Sequence, residues 1–225
     1  MSEKISTTIE DYLGIIFLLE RDGEPVVGAH LAELLGVTPP TVTNTLKRMI
    51  RDGLIMMDSE HGTHLTEYGK IAAGSVMRKH MLAEWMLTRM VSWSNLHKEA
   101  HQFEHAISNE VEAALLEELQ NPKVCPHGNP LPGYENVVSD WIPITQTTAG
   151  QRGIVRRIHE LAEENHQILS FLEEKKIAPQ QEVVIKEVLS FNQTVLVEVG
   201  GKFISLGFAV AQHIYIELVS DAGLS

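Results

Sequence analysis

The stretch "GAHLAELLGVTPPTVTNTLKRMIRDGLI", residues 28–55, leaves the backbone few choices. Gly36 supplies the left-handed residue that ends a helix after "HLAELLG". Pro39 and Pro40 cannot continue that helix but suit the first turn of a new one, with Thr38 placed as its cap. The result is two short helices joined by a tight turn. In the second helix Val42, Leu46, Met49 and Ile50 are expected to face inward, and Thr41, Thr43, Asn44, Lys47 and Arg48 outward. Small polar residues early in a helix and basic ones later fit entry into a DNA major groove, with phosphate contacts behind. We therefore expect Thr38, Pro40, Thr41, Thr43, Asn44, Lys47 and Arg48 to contact DNA. "LIMMDSEHGTHLT" (54–66) follows, predicting two short strands with Gly62 in the turn between them, the wing of a winged helix-turn-helix.

Around this module the periodicities divide the chain. "STTIEDYLGIIFLLERD" predicts an amphipathic helix over 6–22 with Thr7 and Thr8 as possible caps. Residues 66–120 predict two long helices joined near Ser92–Ser94. "NPKVCPHGNPLPGYENV" (121–137) is too rich in Pro, Gly and Asn for regular structure, and predicts a loop at a domain boundary. Beyond it "GIVRRI", "EVVIKEV", "TVLVEV" and "HIYIELV" alternate like strands, with a short helix in "AEENHQILSFLEEK" and a tight turn at Gly200-Gly201. The expected fold is mainly α with a C-terminal β domain that forms a small barrel. Its parts are a DNA-binding domain at 1–70, a helical domain at 71–142 and a β domain at 143–225.

A net charge of −12 argues against general affinity for nucleic acid, so any DNA contact must be local. The single cysteine, Cys125, excludes an internal disulfide framework. With no long apolar run and no signal-like N-terminus, the expected setting is cytoplasmic, with no membrane partner.

"HKEAHQFEHAIS" (97–108) concentrates imidazoles beside a carboxylate. On an α-helix, with His97 at zero, His101 falls near about 40°, Glu104 near about −20° and His105 near about 80°. Leu96, Ala100, Phe103 and Ile107 form the adjoining apolar stripe, which can hold the polar cluster still. The preceding helix places His80 and Glu84 on the seam of Ala73, Val76 and Leu87, where a free carboxylate would be costly. Imidazole and carboxylate at these spacings can share one cation. "HQFEH" also matches H-x-x-E-H, the inverted zinc-peptidase motif, in which the glutamate acts as base. That alternative leaves the winged helix, His97, His80 and Glu84 without a role. Trp85 and Trp93 read as packing residues.

These residues, in this order, resemble the diphtheria toxin repressor family of metal-dependent transcriptional regulators, including its manganese-sensing branch. The resemblance covers nearly the whole chain through "TTIEDYL", "VTPPTVTNTLKRM", "GLI", "LTEYGK", "MRKHMLAEWML", "HKEAHQFEHAISNEVEAAL" and "CPHGNPLPG". It implies a winged helix that binds a palindromic operator, a helical dimerisation domain carrying the metal sites, and an SH3-like barrel. It implies a homodimeric repressor of metal-ion uptake or homeostasis genes, not an enzyme. It also implies a primary site of Asp11, His101, Glu104 and His105 and an ancillary site of His80, Glu84 and His97. The β domain would add Glu164 and Gln167, with His166 a rival, while Cys125 and His127 would stay outside the ligand set. Iron-responsive relatives carry methionine and cysteine where this chain has Asp11 and His101, and exchanging sulfur for oxygen and nitrogen favours Mn(II). The shorter manganese sensors place carboxylates at His101 and often at Gly14, so Fe(II) remains the alternative effector. Zn(II), Co(II) or Ni(II) could bind such a site in vitro.

Overall fold

The computed structural model describes residues 5–58 and 62–219. They fall into two units, one within Met1–Lys79 and Glu104–Ile107, the other within His80–Phe103 and Ser108–Ser225.

In the first unit, α1 (Thr7–Arg21) follows Ser6, which takes the N-cap position ahead of the two threonines. Its recurring apolar residues, Ile9, Tyr12, Leu13, Ile16 and Leu19, are buried. Two short helices come next, α2 (Gly28–Leu34) and α3 (Pro39–Arg51). Gly36 at φ +62° and the prolines at the start of α3 make the turn expected of them. Thr38 caps by position only: its hydroxyl meets that of Thr41 at 2.9 Å rather than a backbone N–H. Val42, Leu46 and Met49 are buried as expected, but Thr45 completes that face and Ile50 is 39% exposed. Ile50 lies about 100° beyond Met49, past the edge of the packed face.

Gly53, at φ +71°, ends the helix, and β1 (Ile55–Asp58) pairs antiparallel with β2 (Gly62–Leu65). Gly62 therefore opens a strand instead of sitting within the turn, and residues 59–61 lie outside the described residues. The Thr66 hydroxyl donates to the Gly53 carbonyl at 2.6 Å and accepts from the Gly69 N–H at 3.0 Å, capping α4 (Glu67–Leu87). A Cβ on Gly69 would lie 1.9 Å from the Leu54 carbonyl oxygen, so only glycine allows the helix this close to the wing.

The predicted second long helix is broken. A 3-10 turn at Trp93–Asn95 leads into α5 (Leu96–Phe103), a second 3-10 turn spans Glu104–Ala106, and α6 (Asn109–Glu118) begins afresh. Ser108 causes the restart: it adopts an extended backbone and its side chain accepts from the Val111 N–H at 3.2 Å, a local bond that competes with helix continuation. Leu96, Ala100 and Ile107 are buried as expected, whereas Phe103 is exposed.

The second unit contains the loop of residues 119–141 and a six-stranded antiparallel sheet. Gln120 and Asn121, both left-handed, end α6. The loop is not loose: Cys125, His127, Asn129 and Leu131 are all buried, and Trp85 Nε1 and Trp93 Nε1 donate to the Val124 and Pro126 carbonyls. The sheet uses β3 (Ile142–Pro143), β4 (Arg152–Ile158), β5 (Glu182–Leu189), β6 (Thr194–Val199), β7 (Lys202–Gly207) and β8 (Ile214–Leu218), in the order β3-β8-β4-β5-β6-β7. Helices α7 (Glu160–Glu163), α8 (His166–Glu174) and α9 (Phe208–Ala211) lie between strands in the chain. Asn165 splits the single helix expected at 162–175 by accepting from the N–H groups of Gln167 and Ile168. Gly200 and Gly201, at φ +55° and +76°, make the expected turn and align Val199 with Lys202, so β7 is a strand that alternation alone had not revealed. Inward Val183, Ile185, Val195, Val197, Ile204, Leu206, Ile214 and Ile216 form the core with Leu169 and Leu172 of α8. Among the described residues no helix is long and apolar enough to cross a membrane.

Candidate metal centres

In the first unit, α1 presents Glu10 at the end of its first turn and Asp11 just after it, and the 3-10 turn after α5 presents Glu104 and His105. His105 Nδ1 lies 2.7 Å from Glu10 Oε2, so the ring donates there. Nε2 is thereby turned toward Asp11 Oδ1 at 3.2 Å and Glu104 Oε1 at 3.4 Å, and Glu104 is buried. A nitrogen lone pair facing two carboxylates is repulsive unless a proton or cation lies between them. Donors around a four-coordinate ion with bonds of about 2.1 Å stand about 3.4 Å apart, close to this spacing. The residues fit a divalent metal. His101 stands one helical turn ahead of His105 in the chain, on α5, and is exposed. Glu10 was not foreseen, although its place beside Asp11 was the available signal.

The second unit holds a larger cluster, in which His80, Glu84, His127 and Glu163 are buried and His97 is partly buried. His80 and Glu84 lie one turn apart on α4, buried as their apolar seam predicted. His80 Nε2 is 3.0 Å from His97 Nδ1 and 3.5 Å from Glu84 Oε1. His97 Nδ1 is also 3.0 Å from Glu163 Oε2, and its Nε2 is 3.3 Å from Glu164 Oε1. From the loop, His127 brings Nδ1 to 3.1 Å from Glu84 Oε1 and 3.6 Å from Glu163 Oε2. Its Nε2 donates to the Trp93 carbonyl at 3.2 Å. Cys125 Sγ accepts from the His127 N–H at 3.3 Å and belongs to the same group of potential ligands.

Burial would raise the Glu84 carboxyl, but the positive charge of His127 and hydrogen bonds from His127, His80 and His97 hold it well below the usual range. Burial works against charge on His97, yet bonds to Glu163, Glu164 and Glu84 raise it well above an ordinary histidine. His127 is raised in spite of burial by Glu163 and Glu84. Burial raises Glu163, and burial with the neighbouring carboxylates pushes the Cys125 thiol well up. Glu84 Oε2 is buried without a hydrogen-bond partner. An orphaned carboxylate oxygen among imidazoles is the donor chemistry of a metal site.

Sequence reasoning placed His80, Glu84 and His97 together, and they meet. The innermost carboxylate from the β domain is Glu163, with Glu164 on the outer nitrogen of His97. Gln167 is exposed at the start of α8, and His166 bonds Asn95 Oδ1 at 3.1 Å. Cys125 and His127 had been set aside as loop residues. Their C-x-H spacing was a signal, but only the packing of the loop gives it meaning. A Cβ on Gly128 would lie 1.8 Å from the Arg156 carbonyl oxygen, so glycine lets the loop press onto β4 and carry both side chains inward.

Thr38 at the cap and Pro40, Thr41, Thr43, Asn44, Lys47 and Arg48 along α3 are all exposed, a largely polar surface ending in positive charge.

A winged helix coupled in one chain to histidine–carboxylate clusters is the make-up of a metal-dependent DNA-binding regulator. Three domain families match in succession: the N-terminal DNA-binding domain of iron-dependent repressors at 4–63, their metal-binding and dimerisation domain at 66–133, and a FeoA domain at 142–218. The iron-dependent repressor IdeR of Mycobacterium tuberculosis is 32% identical over 97% of this chain and 100% of its own length. The diphtheria toxin repressor of Corynebacterium diphtheriae is 40% identical over 61% of each chain. A manganese-dependent transcriptional repressor in complex with manganese is 26% identical, with TM-score 0.81 over 93% of this chain and 99% of that one. The manganese regulator SloR is 30% identical, with TM-score 0.77 over 93% and 98%. The chain belongs to the diphtheria toxin repressor family of iron- and manganese-dependent transcriptional repressors. The peptidase reading of "HQFEH" finds no support in these comparisons. The helix also changes to a 3-10 turn inside that motif, at Glu104.

Proposed function

We propose that this chain represses transcription in response to Mn(II), with Fe(II) as the alternative effector, through a primary site of Asp11, His101, Glu104 and His105. The observation that carries this reading is His105: Glu10 holds its Nδ1 while Nε2 faces the carboxylates of Asp11 and Glu104. The all-oxygen-and-nitrogen donor set suits Mn(II) better than a thiolate site would. His80, Glu84 and His97 serve as the ancillary site, with Glu163 as a further ligand and Glu164 orienting His97 through its outer nitrogen.

A bound dication supplies the charge that lets these carboxylates sit together. Asp11 is carried by the unit that contains α3, and His101 by α5, so shared ligation restricts the orientations open to the recognition helix. Residues 1–70 contact DNA, 71–142 dimerise and bind metal, and 143–225 form the β domain. In a homodimer the two α3 faces, led by Thr41, Thr43, Asn44, Lys47 and Arg48, would read the halves of a palindromic operator. Metal and DNA must each tighten the binding of the other. Operator binding measured with and without Mn(II), on wild type and Asp11→Ala, tests this. Wild type should bind tightly only with metal, and equal affinity in both conditions would sink the switch.

A further inference from the structure

Strand β7 lies at one edge of the six-stranded sheet, and among the described residues only β6 pairs with it. The Phe208 N–H donates to the Gln193 carbonyl at 2.7 Å, continuing the register that pairs Leu206 with Val195 and Ile204 with Val197. In an antiparallel ladder, residues bonded across to the neighbour alternate with residues whose N–H and C=O point the other way. Phe203 and Ser205 therefore turn their backbone groups away from β6, while Ile204 and Leu206 bury their side chains in the core. Phe203 is 67% exposed. An exposed aromatic ring on a free edge invites pairing with another chain, which natural edges usually guard against.

Beside this edge a groove of about 430 Å³ runs between β7 and the C-terminal end of α8. Phe171 and Phe203 give it apolar walls, and Lys175, Lys176 and Lys202 also line it. Lys175 Nζ lies 5.7 Å from the centre of the Phe171 ring, and Lys186 Nζ 5.8 Å from that of Phe203. Glu174, the acidic residue of the lining, is bonded to Lys175 at 2.7 Å. Lys176 and Lys202 have no carboxylate partner among the described residues. Lys176 takes the left-handed conformation, φ +59°, just past α8, where glycine is the usual residue. The turn thus carries a cationic side chain where the backbone favours none. On a chain of net charge −12 this is a local excess of positive charge.

We infer that β7 is a docking edge for an extended, acidic segment of a partner protein. The segment joins the sheet as a further strand, bonded through its backbone to Phe203 and Ser205. Its carboxylates meet Lys176 and Lys202, and an apolar residue covers the Phe203 ring. A groove between an edge strand and a helix suits this mode of recognition: backbone bonds give affinity, and alternate side chains give specificity. The loop of residues 119–141 is not the occupant, since it presses onto β4 at Gly128. A nucleic acid would satisfy the lysines, but its phosphodiester chain has no amide ladder to offer the edge.

The test uses the full chain and a short synthetic peptide that alternates glutamate with valine about a central phenylalanine. Two comparison peptides carry lysine in place of glutamate, or N-methyl groups that prevent backbone hydrogen bonding. In heteronuclear NMR the acidic peptide should shift the amides of Lys202–Gly207 and of the end of α8. By fluorescence anisotropy both comparison peptides should bind at least about 10-fold more weakly. Lys176→Glu combined with Lys202→Glu, and separately Phe203→Ser, should weaken the acidic peptide by a similar factor. Ser205→Pro should do the same by removing an outward N–H, a change that an edge strand accepts. Circular dichroism and thermal melts confirm that each variant is folded. Absence of binding, shifts confined to other elements, or equal binding of the N-methylated peptide would overturn the proposal. A DNA duplex that displaces the peptide from Lys202–Gly207 would overturn it in favour of a phosphate-binding surface. Shifts of the same amides on raising the protein concentration alone would overturn it in favour of a second copy of this chain.

Discussion

His105 Nδ1 donates to Glu10 Oε2 across 2.7 Å, and this bond decides which nitrogen of the ring faces Asp11 and Glu104. A carboxylate on the far side of a ligating imidazole sets its tautomer and raises its basicity. Glu10→Ala should therefore weaken Mn(II) binding by about 10- to 100-fold, with the fold retained. Titration calorimetry on the variant checks this, and unchanged affinity would show that Glu10 is only a surface partner of the ring.

The buried cluster predicts how the metal-free protein responds to pH. His97 and His127 are both raised above their ordinary value of 6.5 by nearby carboxylates. The folded state therefore binds protons more tightly than the unfolded chain, and that stability is fully present below about 6.5. It is lost as pH rises through the folded-state values above 6.5, and raised Glu163 acts in the same direction at lower pH. Glu84, held well below 4.5, contributes stability that is lost only as pH falls through its depressed value. Thermal melts in chelator should show the melting temperature falling from neutral to alkaline pH, and a flat profile would contradict the assignment.

Two glycines should be intolerant of alanine. A Cβ at Gly69 would lie 1.9 Å from the Leu54 carbonyl oxygen, and one at Gly128 1.8 Å from that of Arg156. Gly128→Ala adds strain at φ +91°, whereas Gly150, at the same φ, has open space around it. We expect losses of about 2–4 kcal/mol at Gly69 and Gly128, against about 1–2 kcal/mol for Gly150→Ala. Denaturant unfolding of the three variants measures the difference.

Lys47 and Arg48 lie exposed late on α3. As phosphate contacts, Lys47→Ala and Arg48→Ala should each weaken operator binding about equally across sequences and lower the salt slope by about one. Thr43→Ala or Asn44→Ala, early on the helix, should instead relax discrimination among operator bases. Binding isotherms at several salt concentrations separate these effects.

Much of this architecture was legible because its causes are local. Gly36, Pro39 and Pro40 set the helix-turn-helix through backbone conformation, and the alternation in "TVLVEV" and "EVVIKEV" marks half-buried strands wherever they pair. The α4 seam exposed His80 and Glu84 as out of place among apolar neighbours. Ser108 defeated the prediction of one long metal helix: a single side-chain acceptor at a cap outweighs the helical preference of the residues around it. Phe103 and Ile50 were misplaced because a helical wheel gives a direction and says nothing of how wide the buried face will be.

By itself, then, the sequence determined the elements, the recognition face and the kinds of ligand available, all consequences of periodicity and backbone chemistry acting over a few residues. Only the tertiary structure decided which ligands share a site. Glu10 acquired its role by meeting His105, ninety-five residues away, and Glu163, Cys125 and His127 by meeting Glu84 in a space that water does not reach. Such encounters depend on how the loop wedges beneath β4 at Gly128 and how Trp85 and Trp93 clamp it. Those are contacts between distant segments, which no local pattern records.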